Sequence, residues 1–556
     1  MTKDNIFNKD GMYFLPLGGA DEIGINMYVY AVDGKLIVVD CGYGFLNDSF
    51  PGTDLSLADA SFLEDYQDDI EGLFITHAHE DHFGAIGHIW PKLKCPVFGT
   101  DFSIGMIKER LKEYKLDGVV PLNTIPESRK IKLPNFEVEY AYVVHNVPET
   151  AALIIRTKYG NVVHATDFRF DDGKSEFLPT DYEALRKIGE EGVSLLICDS
   201  TNITVKEEKQ LSESDVRESL VKLIPTLQNT VAVTCFSSNL TRLETLMLAA
   251  KQAERTPVLV GRSIIQNVKV AKSCGYFKDL PQALDLREAS EIPSDKALYI
   301  CTGSQADYRS ALTLIAKDEK KEIKLGSGDT VIFSSRIIPG NEKAIEDMQE
   351  NLVKMGVDVI TSDEYLVHTT GHSNKRDLEK MYGILKPEVI IPVHGDKRFI
   401  KAHKKFAQEY GIKQVITTDN GNIFLIKNNK IEKVGEVFVD VLAVDRKHVI
   451  SISSEVLKNR KRIAYHCSVF ISVVFSKDWK VEDLQISSID ILEKDLWDEL
   501  CNDIKEDMLA RIPEQLPRLN HKEVAISDYI RSYIRKKILS ATDIKPITFI
   551  HLYKNS

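Results

Sequence analysis

The stretch Thr76-His77-Ala78-His79-Glu80-Asp81-His82 decides the predicted fold. It follows the apolar run Gly72-Leu73-Phe74-Ile75, which is typical of a β-strand that ends at a sheet edge. The first two histidines are two residues apart, so in an extended strand end both imidazoles point to the same side. The aspartate and the third histidine follow in the turn and reach a second point nearby. Imidazole and carboxylate ligands favour zinc, with manganese as the looser alternative, so the stretch predicts a metal site with room for two cations.

The composition limits the classes of protein to which the chain can belong. Its 556 residues exceed one hydrophobic core, so we expect two or three domains. The chain has 43% hydrophobic and 28% charged residues, as in an ordinary globular protein. There is no run of about 18 apolar residues and no apolar signal-peptide core in residues 1–5, so we expect a cytoplasmic location without membrane association.

Cysteine usage and net charge narrow the classes further. The eight cysteines are scattered and form no CxxC pair, which favours buried free thiols over disulfides or a thiolate metal site. The net charge of −12 argues against a protein that coats nucleic acid by bulk attraction. This net charge is compatible with a nuclease that binds one nucleic-acid strand in a local basic groove.

Other polar residues also stand at predicted strand ends. Asp33-Gly34 separates two β-rich runs and predicts a hairpin, and the second run ends in Asp40. Later apolar runs end at or just before four further polar side chains, namely His145, Asp167, Asp199 and His394. An aspartate in such a place is often a cap or a turn residue, and His164, inside a strand pattern, is interpreted as structural.

Residues 206–364 have a different pattern, in which apolar strands alternate with helical stretches. This predicts a small α/β unit with a mostly parallel sheet. Two of its loops, Phe236-Ser237-Ser238-Asn239 and Phe333-Ser334-Ser335-Arg336, combine small polar residues with an arginine, either Arg242 or Arg336. That chemistry suits phosphate, although serine-rich turns are often only turns.

The HxHxDH pattern of residues 77–82 resembles the signature of the metallo-β-lactamase superfamily. Further stretches resemble the ribonuclease J family of β-CASP nucleases over nearly the whole chain. These stretches are Leu17–Met27 (LGGADEIGINM), Asp199 as motif A, Thr302–Gln305, Phe333–Glu342, Val367–Ser373 as motif B and Val389–Asp396 as motif C. The glycines of the first stretch are either turn residues or part of an active-site rim. Ala306-Asp307-Tyr308 departs from the family, in which Gly-Glu-Pro is common.

The resemblance implies an α/β fold: a metallo-β-lactamase αββα sandwich with an inserted α/β β-CASP domain and a small α+β C-terminal domain. The metallo-β-lactamase domain is expected in two parts, 1–205 and 365–447, on either side of the β-CASP domain at 206–364. A linker at 448–464 carries the basic run Lys458-Asn459-Arg460-Lys461-Arg462. The C-terminal domain is expected at 465–556.

The resemblance also implies the metal site. It implies two zinc ions per subunit, with manganese or magnesium as alternatives, held by His77, His79 and His145 at one metal, by Asp81, His82 and His394 at the other, and by Asp167 as the bridge. Asp40 and Asp199 are expected to support these ligands. Two cations about 3.5–4 Å apart bridge and acidify a water. Asp81 and His372 are the expected catalytic residues: Asp81 holds the attacking hydroxide, and His372 stabilises developing charge or protonates the leaving 3′ oxygen.

The implied function is metal-dependent cleavage of single-stranded RNA, by 5′-to-3′ exonuclease and endonuclease activity, in RNA maturation and decay. RNA with a 5′ monophosphate is the preferred substrate. The expected substrate contacts are Ser237, Ser238, Asn239, Ser335, Arg336, His368, Thr369, Thr370, Gly371 and His372. The family also implies a homodimer or homotetramer formed through the C-terminal domain.

Three other functions remain open at this point. A thioester or lactone hydrolase shares the superfamily core, but the large insert, motif B and the seventh ligand His394 argue against it. A DNA nuclease is harder to exclude, because no identified residue reads the 2′ hydroxyl group. A scaffold with an inactive metal site would be expected to lack a ligand, and this sequence lacks none.

Overall fold

The structure is a computed structural model that describes residues 6–7, 10–46, 49–171, 177–205, 211–427, 430–489 and 491–555. The chain divides into two compact units, Met1–Phe45 with Leu55–Leu442 and Leu46–Asp54 with Ala443–Ser556. Residues 1–5, where we expect no signal peptide, and residues 206–210, which border the predicted domain boundary, lie outside the described residues.

The region up to residue 205 consists mainly of strands. In chain order the elements are β1 (Met12–Gly18), β2 (Met27–Val32), β3 (Lys35–Val39), β4 (Tyr43–Phe45), β5 (Leu55–Ala58), β6 (Ile70–Phe74), α1 (Glu80–Phe83), α2 (Ile86–Leu93), β7 (Val97–Gly99), α3 (Asp101–Glu113), β8 (Leu122–Thr124), β9 (Lys130–Lys132), β10 (Glu137–Tyr142), β11 (Ala151–Thr157), β12 (Gly160–Ala165), α4 (Tyr182–Glu191) and β13 (Leu195–Asp199). A 3-10 helix, Ser61–Asp69, precedes β6.

The region from 211 to 436 alternates helices and strands. Its elements are α5 (Glu213–Leu223), β14 (Val231–Thr234), α6 (Leu240–Gln252), β15 (Thr256–Val260), α7 (Arg262–Ser273), β16 (Leu284–Asp285), β17 (Ala297–Cys301), α8 (Ala311–Ala316), β18 (Thr330–Phe333), α9 (Glu342–Lys354), β19 (Asp358–Ile360), α10 (Lys375–Leu385), β20 (Val389–Val393), α11 (Lys397–Tyr410), β21 (Gln414–Val415), β22 (Asn422–Lys427) and β23 (Lys430–Glu436).

The last region has few elements. They are β24 (Val441–Asp445), β25 (His448–Ser451), α12 (Glu455–His466), β26 (Ser468–Phe475), β27 (Val481–Ile489), α13 (Lys494–Gln515), α14 (Glu523–Thr542) and β28 (Ile547–Lys554).

Two sheets form the centre of the first unit. Among the described residues, one sheet has the strand order β23-β22-β1-β2-β3-β6-β7-β8 and the other has the order β21-β20-β13-β12-β11-β10-β9. The predicted hairpin is confirmed, because β2 and β3 pair antiparallel across a turn in which Asp33 and Gly34 both have positive φ. Strands β3, β6 and β7 are parallel neighbours, so their carboxyl ends meet at one sheet edge.

The two sheets pack face to face. One hydrophobic core contains side chains from both inner faces, such as Phe14 and Val39 from the first sheet and Leu153, Ile197 and Ile391 from the second. A second core joins the outer face of the second sheet to α4, α10 and α11. Helices α2 and α3 lie by the first sheet and its flanking 3-10 helix. The layers are those of the expected αββα sandwich.

A separate six-stranded sheet lies between β13 and β20 in the sequence. Its strand order is β16-β15-β17-β14-β18-β19, and the pairs recorded between neighbouring strands are parallel. It has its own hydrophobic core with α8 and α9. Because β13 and β20 are themselves adjacent parallel strands, the predicted α/β insert is confirmed.

The second unit contains a three-stranded sheet in the order β27-β26-β28. One face packs on α13 and α14 through a core that includes Val469, Ile471, Ile504 and Ile530. The predicted small α+β domain is therefore present. The segment expected to be a linker, 448–464, forms β25 and most of α12.

All eight cysteines are free thiols, as expected, and most of them are buried. Within the described part of the chain, no helix has both the length and the apolar character needed to cross a bilayer.

The sandwich core gives a stability prediction. Ile197 lies in the middle of β13 and is fully buried between the two sheets. Ile197→Ala should therefore lower the free energy of unfolding by about 2–5 kcal/mol, because it leaves a cavity in a packed core. Urea unfolding followed by circular dichroism measures this change. Val119→Ala, at a side chain that is 56% exposed, is the control and should change it by less than about 0.5 kcal/mol. Equal effects of the two substitutions would contradict the assignment of this core.

Candidate metal centre

The site lies where the carboxyl ends of strands from both sheets meet. From the first sheet, Asp40 follows β3 and the 77–82 stretch follows the neighbouring parallel strand β6. From the second sheet, Asp167 follows β12, Asp199 ends β13 and His394 follows β20, and these three strands are parallel neighbours. His145 follows β10, which runs in the same direction as β12 because each pairs antiparallel with β11.

The structure brings the predicted ligands together in two groups. In the first, His77 Nε2 lies 3.1 Å from His79 Nδ1, which lies 3.2 Å from His145 Nε2. In the second, His394 Nε2 lies 3.1 Å from Asp81 Oδ2, and His82 Nε2 lies 3.6 Å from the same oxygen. Each group has the donor atoms and the spacing to hold a metal ion.

Asp167 lies between the two groups. Its Oδ2 is 3.4 Å from His145 Nε2, on the side of the first group. Its Oδ1 is 3.1 Å from His82 Nε2, on the side of the second group, and is buried without a hydrogen bond to any described residue. A buried carboxylate oxygen without a hydrogen bond is costly unless it meets a cation.

Neighbouring groups fix the ring orientation of four of these histidines. The proton acceptors for Nδ1 are Thr76 Oγ1 for His77 at 3.0 Å, Asp40 Oδ2 for His82 at 2.8 Å, the Gly371 carbonyl for His145 at 2.7 Å and Thr201 Oγ1 for His394 at 2.9 Å. The two threonine hydroxyls accept because each donates its own proton to an aspartate, Asp40 or Asp199. The Nε2 lone pairs therefore point toward the ligand groups, as in metal-binding histidines.

Burial and nearby charges set the protonation of the site. Burial lowers the pKa of His79 to about 4 and that of His145 to about 3, and it lowers the pKa of His77 well below its usual value. These three imidazoles are therefore neutral, which is the ligating form. Around His394, burial is outweighed by Asp167, Asp199 and Asp81, which raise its pKa to about 10. Against the effect of burial, Asp167, Asp81 and Asp40 also raise the pKa of His82. A divalent metal that binds His82 and His394 must therefore displace a proton from each, and the resulting set of imidazole and carboxylate donors fits such a metal.

Asp40 and Asp199 each hold several groups in place. Besides His82, Asp40 accepts hydrogen bonds from the backbone N–H and the hydroxyl of Thr76, and it is fully buried with φ of 61°. Asp199 Oδ2 lies 3.2 Å from His372 Nδ1. His372 Nδ1 is also 3.6 Å from Asp167 Oδ2, so His372 borders the ligand groups.

The LGGADEIGINM stretch lines the same space. The Gly19 carbonyl accepts a hydrogen bond from the His394 backbone N–H at 2.8 Å. Asn26 Nδ2 donates to the Asp81 carbonyl at 3.0 Å and lies 3.2 Å from His82 Nε2. The stretch is therefore part of the active-site rim. Asn26, Thr76 and Thr201 are site residues that the sequence reasoning missed, although each lies in or beside a motif used in it.

The predicted substrate residues do not all face open space. Asn239 Oδ1 accepts the Arg242 backbone N–H and so caps α6. The Thr369 hydroxyl donates to the Leu211 carbonyl, and the Thr370 hydroxyl accepts from Asn202 Nδ2 at 2.9 Å. These polar groups, like the Gly371 carbonyl, hold the motif B loop in place.

Other predicted substrate residues remain accessible or lack a polar partner. Ser237 and Ser238 are half-buried in the loop before α6, and Arg336 is exposed and donates to Asn202 Oδ1 at 3.1 Å. Ser335 is buried next to Arg336. His368 Nδ1 is buried, and the described residues offer it no hydrogen-bond partner. Burial together with the charges of Arg242 and Arg336 lowers the pKa of His368.

The expectation that Arg242 contacts phosphate is wrong. Its side chain is fully buried, and its guanidinium forms a bidentate salt bridge with Glu213. It also donates to the carbonyls of Ser334 at 3.1 Å and Val367 at 2.7 Å. Arg242 therefore ties α5, the loop after β18 and the start of motif B to α6, and has no spare donor direction for substrate.

The departure at residues 306–308 has a conformational consequence. Ala306 has φ of 59°, in the left-handed region that favours glycine, where glycine is common in the resembled family. The preceding Gln305 bonds the Arg336 carbonyl at 2.8 Å and the Ile338 backbone N–H at 2.9 Å. The altered loop is thus coupled to the loop that carries Arg336.

Three protein families match the sequence. The metallo-beta-lactamase superfamily matches residues 20–197, the ribonuclease J beta-CASP domain matches 228–352, and the Zn-dependent metallo-hydrolase RNA specificity domain matches 356–417.

Similar proteins cover nearly the whole chain. Ribonuclease J of Sinorhizobium meliloti is 35% identical, over 98% of this chain and 97% of that protein. Ribonuclease J of Helicobacter pylori is 30% identical, over 99% of this chain and 81% of that protein. A crystal structure of a protein of unknown function from Enterococcus faecalis V583 has a TM-score of 0.53 and 16% identity, over 75% of this chain and 100% of that one, and supports the fold alone.

The sandwich fold, its parallel α/β insert and the buried His/Asp groups define a metal-dependent hydrolytic nuclease of the metallo-β-lactamase fold. Its centre takes a divalent metal. The chain belongs to the ribonuclease J family.

The contact between Asp40 and His82 gives a prediction about metal affinity. Asp40→Asn should lower the affinity for zinc by about 10- to 100-fold, because the carboxylate that accepts the His82 Nδ1 proton is lost. Competition with a chromophoric chelator measures the affinity. Asp363→Asn, at an exposed position outside the ligand groups, is the matched control. An Asp40→Asn protein with wild-type affinity would show that Asp40 does not orient the ligand.

The close approach of Gly42 to the ligand stretch gives a second prediction. A Cβ atom at Gly42 would lie 1.6 Å from the Asp81 carbonyl oxygen, so Gly42→Ala must displace the 77–82 stretch. We expect a loss of about 100-fold in kcat/KM on RNA, since ligand shifts of about 1 Å have that effect. Gly326→Ala, whose Cβ would meet no atom within 4 Å, should retain full activity. Full activity in Gly42→Ala would contradict the observed geometry.

Proposed function

We propose that the chain is a two-zinc ribonuclease that cleaves single-stranded RNA internally and also processively from the 5′ end, in RNA maturation and decay. Manganese or magnesium is the alternative metal. The observation that carries this proposal is the meeting of five imidazoles and two carboxylates at the edges of two sheets, next to the polar loops of the insert. The family membership makes RNA the expected polymer.

The proposed ligands follow the two groups. His77, His79 and His145 hold one ion, and Asp81, His82 and His394 hold the other. Asp167 bridges the two ions, which its position between the groups supports. A total of four Nδ1 atoms are already engaged by acceptors, so the ligating Nε2 lone pairs are preorganised.

Bound ions supply a water of lowered pKa and neutralise charge at the phosphorus. Asp81 is the most exposed of the carboxylates, with 24% of its side chain accessible, and it positions the attacking water. His372 Nδ1 faces Asp199, which leaves Nε2 to stabilise the developing charge or to protonate the leaving 3′ oxygen.

The substrate phosphates meet the polar loops around the centre. Arg336 is the strongest candidate, because it is exposed and a guanidinium binds phosphate in a bidentate manner. Ser237, Ser238, Ser335 and His368 complete the proposed contact surface. Preference for a 5′ monophosphate is part of this proposal.

The proposal also includes the oligomeric state of the protein and its location in the cell. A homodimer or homotetramer through the C-terminal domain is supported by Phe549 and Tyr553, which are exposed on the outer strand β28. A cytoplasmic location is consistent with the free thiols.

The test is digestion of body-labelled single-stranded RNA that carries either a 5′ monophosphate or a 5′ triphosphate. We expect metal-dependent release of mononucleotides, faster from the monophosphate end and abolished by a chelator. His77→Ala should reduce the rate by at least about 1,000-fold, because a ligand to the activating metal is lost.

The matched control is His88→Ala, which removes a histidine that bonds the Tyr114 hydroxyl at 3.1 Å outside the ligand groups, and it should keep full activity. If metal-replete protein cleaves neither RNA, the proposal fails. Cleavage of DNA or of a thioester or lactone in place of RNA would then identify one of the alternatives.

A further inference from the structure

Helix α12 is almost entirely exposed. Of its twelve residues, Leu457 alone is buried in the described structure. Three large side chains face solvent: Val456 is 51% exposed, Ile463 is 39% exposed and Tyr465 is 66% exposed. A twelve-residue helix is marginally stable by itself in water, so a surface that binds its outer face would stabilise it.

The exposed side chains of α12 have a regular spacing. Lys458, Lys461, Arg462 and Tyr465 occur at positions i, i+3, i+4 and i+7, so they form one stripe on the helix surface. All four are exposed. The stripe extends about 10 Å along the helix axis. We call these four residues the α12 stripe.

A second basic segment lies beside the helix. Arg460 forms a bidentate salt bridge with Asp445 at 2.9 and 2.6 Å, which ties α12 to the end of β24, next to the turn that leads to β25. The turn residues Arg446 and Lys447 and the first residue of β25, His448, are all exposed. The charges of Arg460, Arg446 and His448 all contribute to the lowered pKa of Asp445, in keeping with their proximity.

The charge of this surface is opposite to that of the whole chain. Residues 445–466 contain six lysines and arginines and only two acidic residues. The chain as a whole has a net charge of −12. Bulk attraction therefore cannot account for RNA binding by this protein, whereas a local basic surface can.

We propose that the α12 stripe and the segment 446–448 bind the phosphate backbone of single-stranded RNA, in addition to the contacts that the RNA makes at the metal centre. The cations contact successive phosphates, and Tyr465 offers a ring on which a base can stack. This inference rests on the proposed ribonuclease function. It adds a second set of contacts for an RNA that has phosphates beyond those bound at the metal centre.

The test measures RNA binding and cleavage separately. Binding of a fluorescent 30-nucleotide oligouridylate to the full-length protein is followed by anisotropy in the presence of a chelator, over a series of salt concentrations. In the triple variant Lys458→Gln, Lys461→Gln, Arg462→Gln we expect Kd to rise by about ten-fold or more, and the plot of log affinity against log salt to become shallower by about two, since each lost phosphate contact contributes about 0.7 on single strands. Tyr465→Ala should weaken binding with no change in salt slope.

Two controls make the result specific. Lys158→Gln, Lys343→Gln, Lys354→Gln removes the same charge from dispersed exposed positions and should leave Kd near wild type. Lys458→Arg, Lys461→Arg should also bind normally, because the cations are kept. With metal restored, the triple Gln variant should raise KM for the long RNA and leave the hydrolysis of a trinucleotide unchanged, which shows that the catalytic unit is folded.

The outcomes separate this inference from the proposed function. Unchanged Kd and salt slope in the triple Gln variant, in a protein that cleaves RNA, would overturn the inference alone. An equal loss in the dispersed variant would overturn it too, because bulk charge would then be responsible. Absence of RNA binding and cleavage in the wild-type protein would remove the proposed function as well.

Discussion

The burial of Asp167 among histidines is the constraint on which the rest of the structure depends. Its side chain is 2% exposed, and one of its carboxylate oxygens has no hydrogen-bond partner within the described part of the chain. An ionised carboxylate is costly to bury without a cationic partner, and a bound divalent metal offsets that cost. The metal in turn needs neutral imidazoles whose lone pairs converge, and threonine, aspartate and carbonyl acceptors on Nδ1 provide them.

The chain connectivity explains why so distant residues meet. Asp199 ends β13 and His394 follows β20, and these neighbouring parallel strands are separated in sequence by the whole six-stranded insert. After the insert, the chain comes back to the same sheet as β20. His394 therefore lies at the same sheet edge as Asp199. The buried Arg242–Glu213 pair, bonded to the Val367 carbonyl, fixes the start of motif B against the insert.

The sequence was most informative where local pattern determines structure. The 77–82 stretch after β6, the Asp33-Gly34 hairpin and the alternation of strands and helices in the insert could all be predicted, because each depends on neighbours in the chain. The partners of the histidines could not, since the Thr76, Thr201 and Gly371 contacts depend on tertiary packing. For the same reason Arg242 was misassigned: a sequence shows an arginine near a loop but not its burial against Glu213. The basic run at 458–462 is visible in the sequence. That its lysines and Arg462 form one stripe with Tyr465 follows only from the helical conformation of 455–466, a segment expected to be a linker.

The most direct test of the proposed two-metal centre is anomalous diffraction at the zinc edge from crystals of the zinc-replete protein. The account predicts two anomalous peaks in each chain, one among His77, His79 and His145 and one among Asp81, His82 and His394, with a carboxylate oxygen of Asp167 next to each. A single peak, or a second peak away from Asp81, His82 and His394, would contradict it.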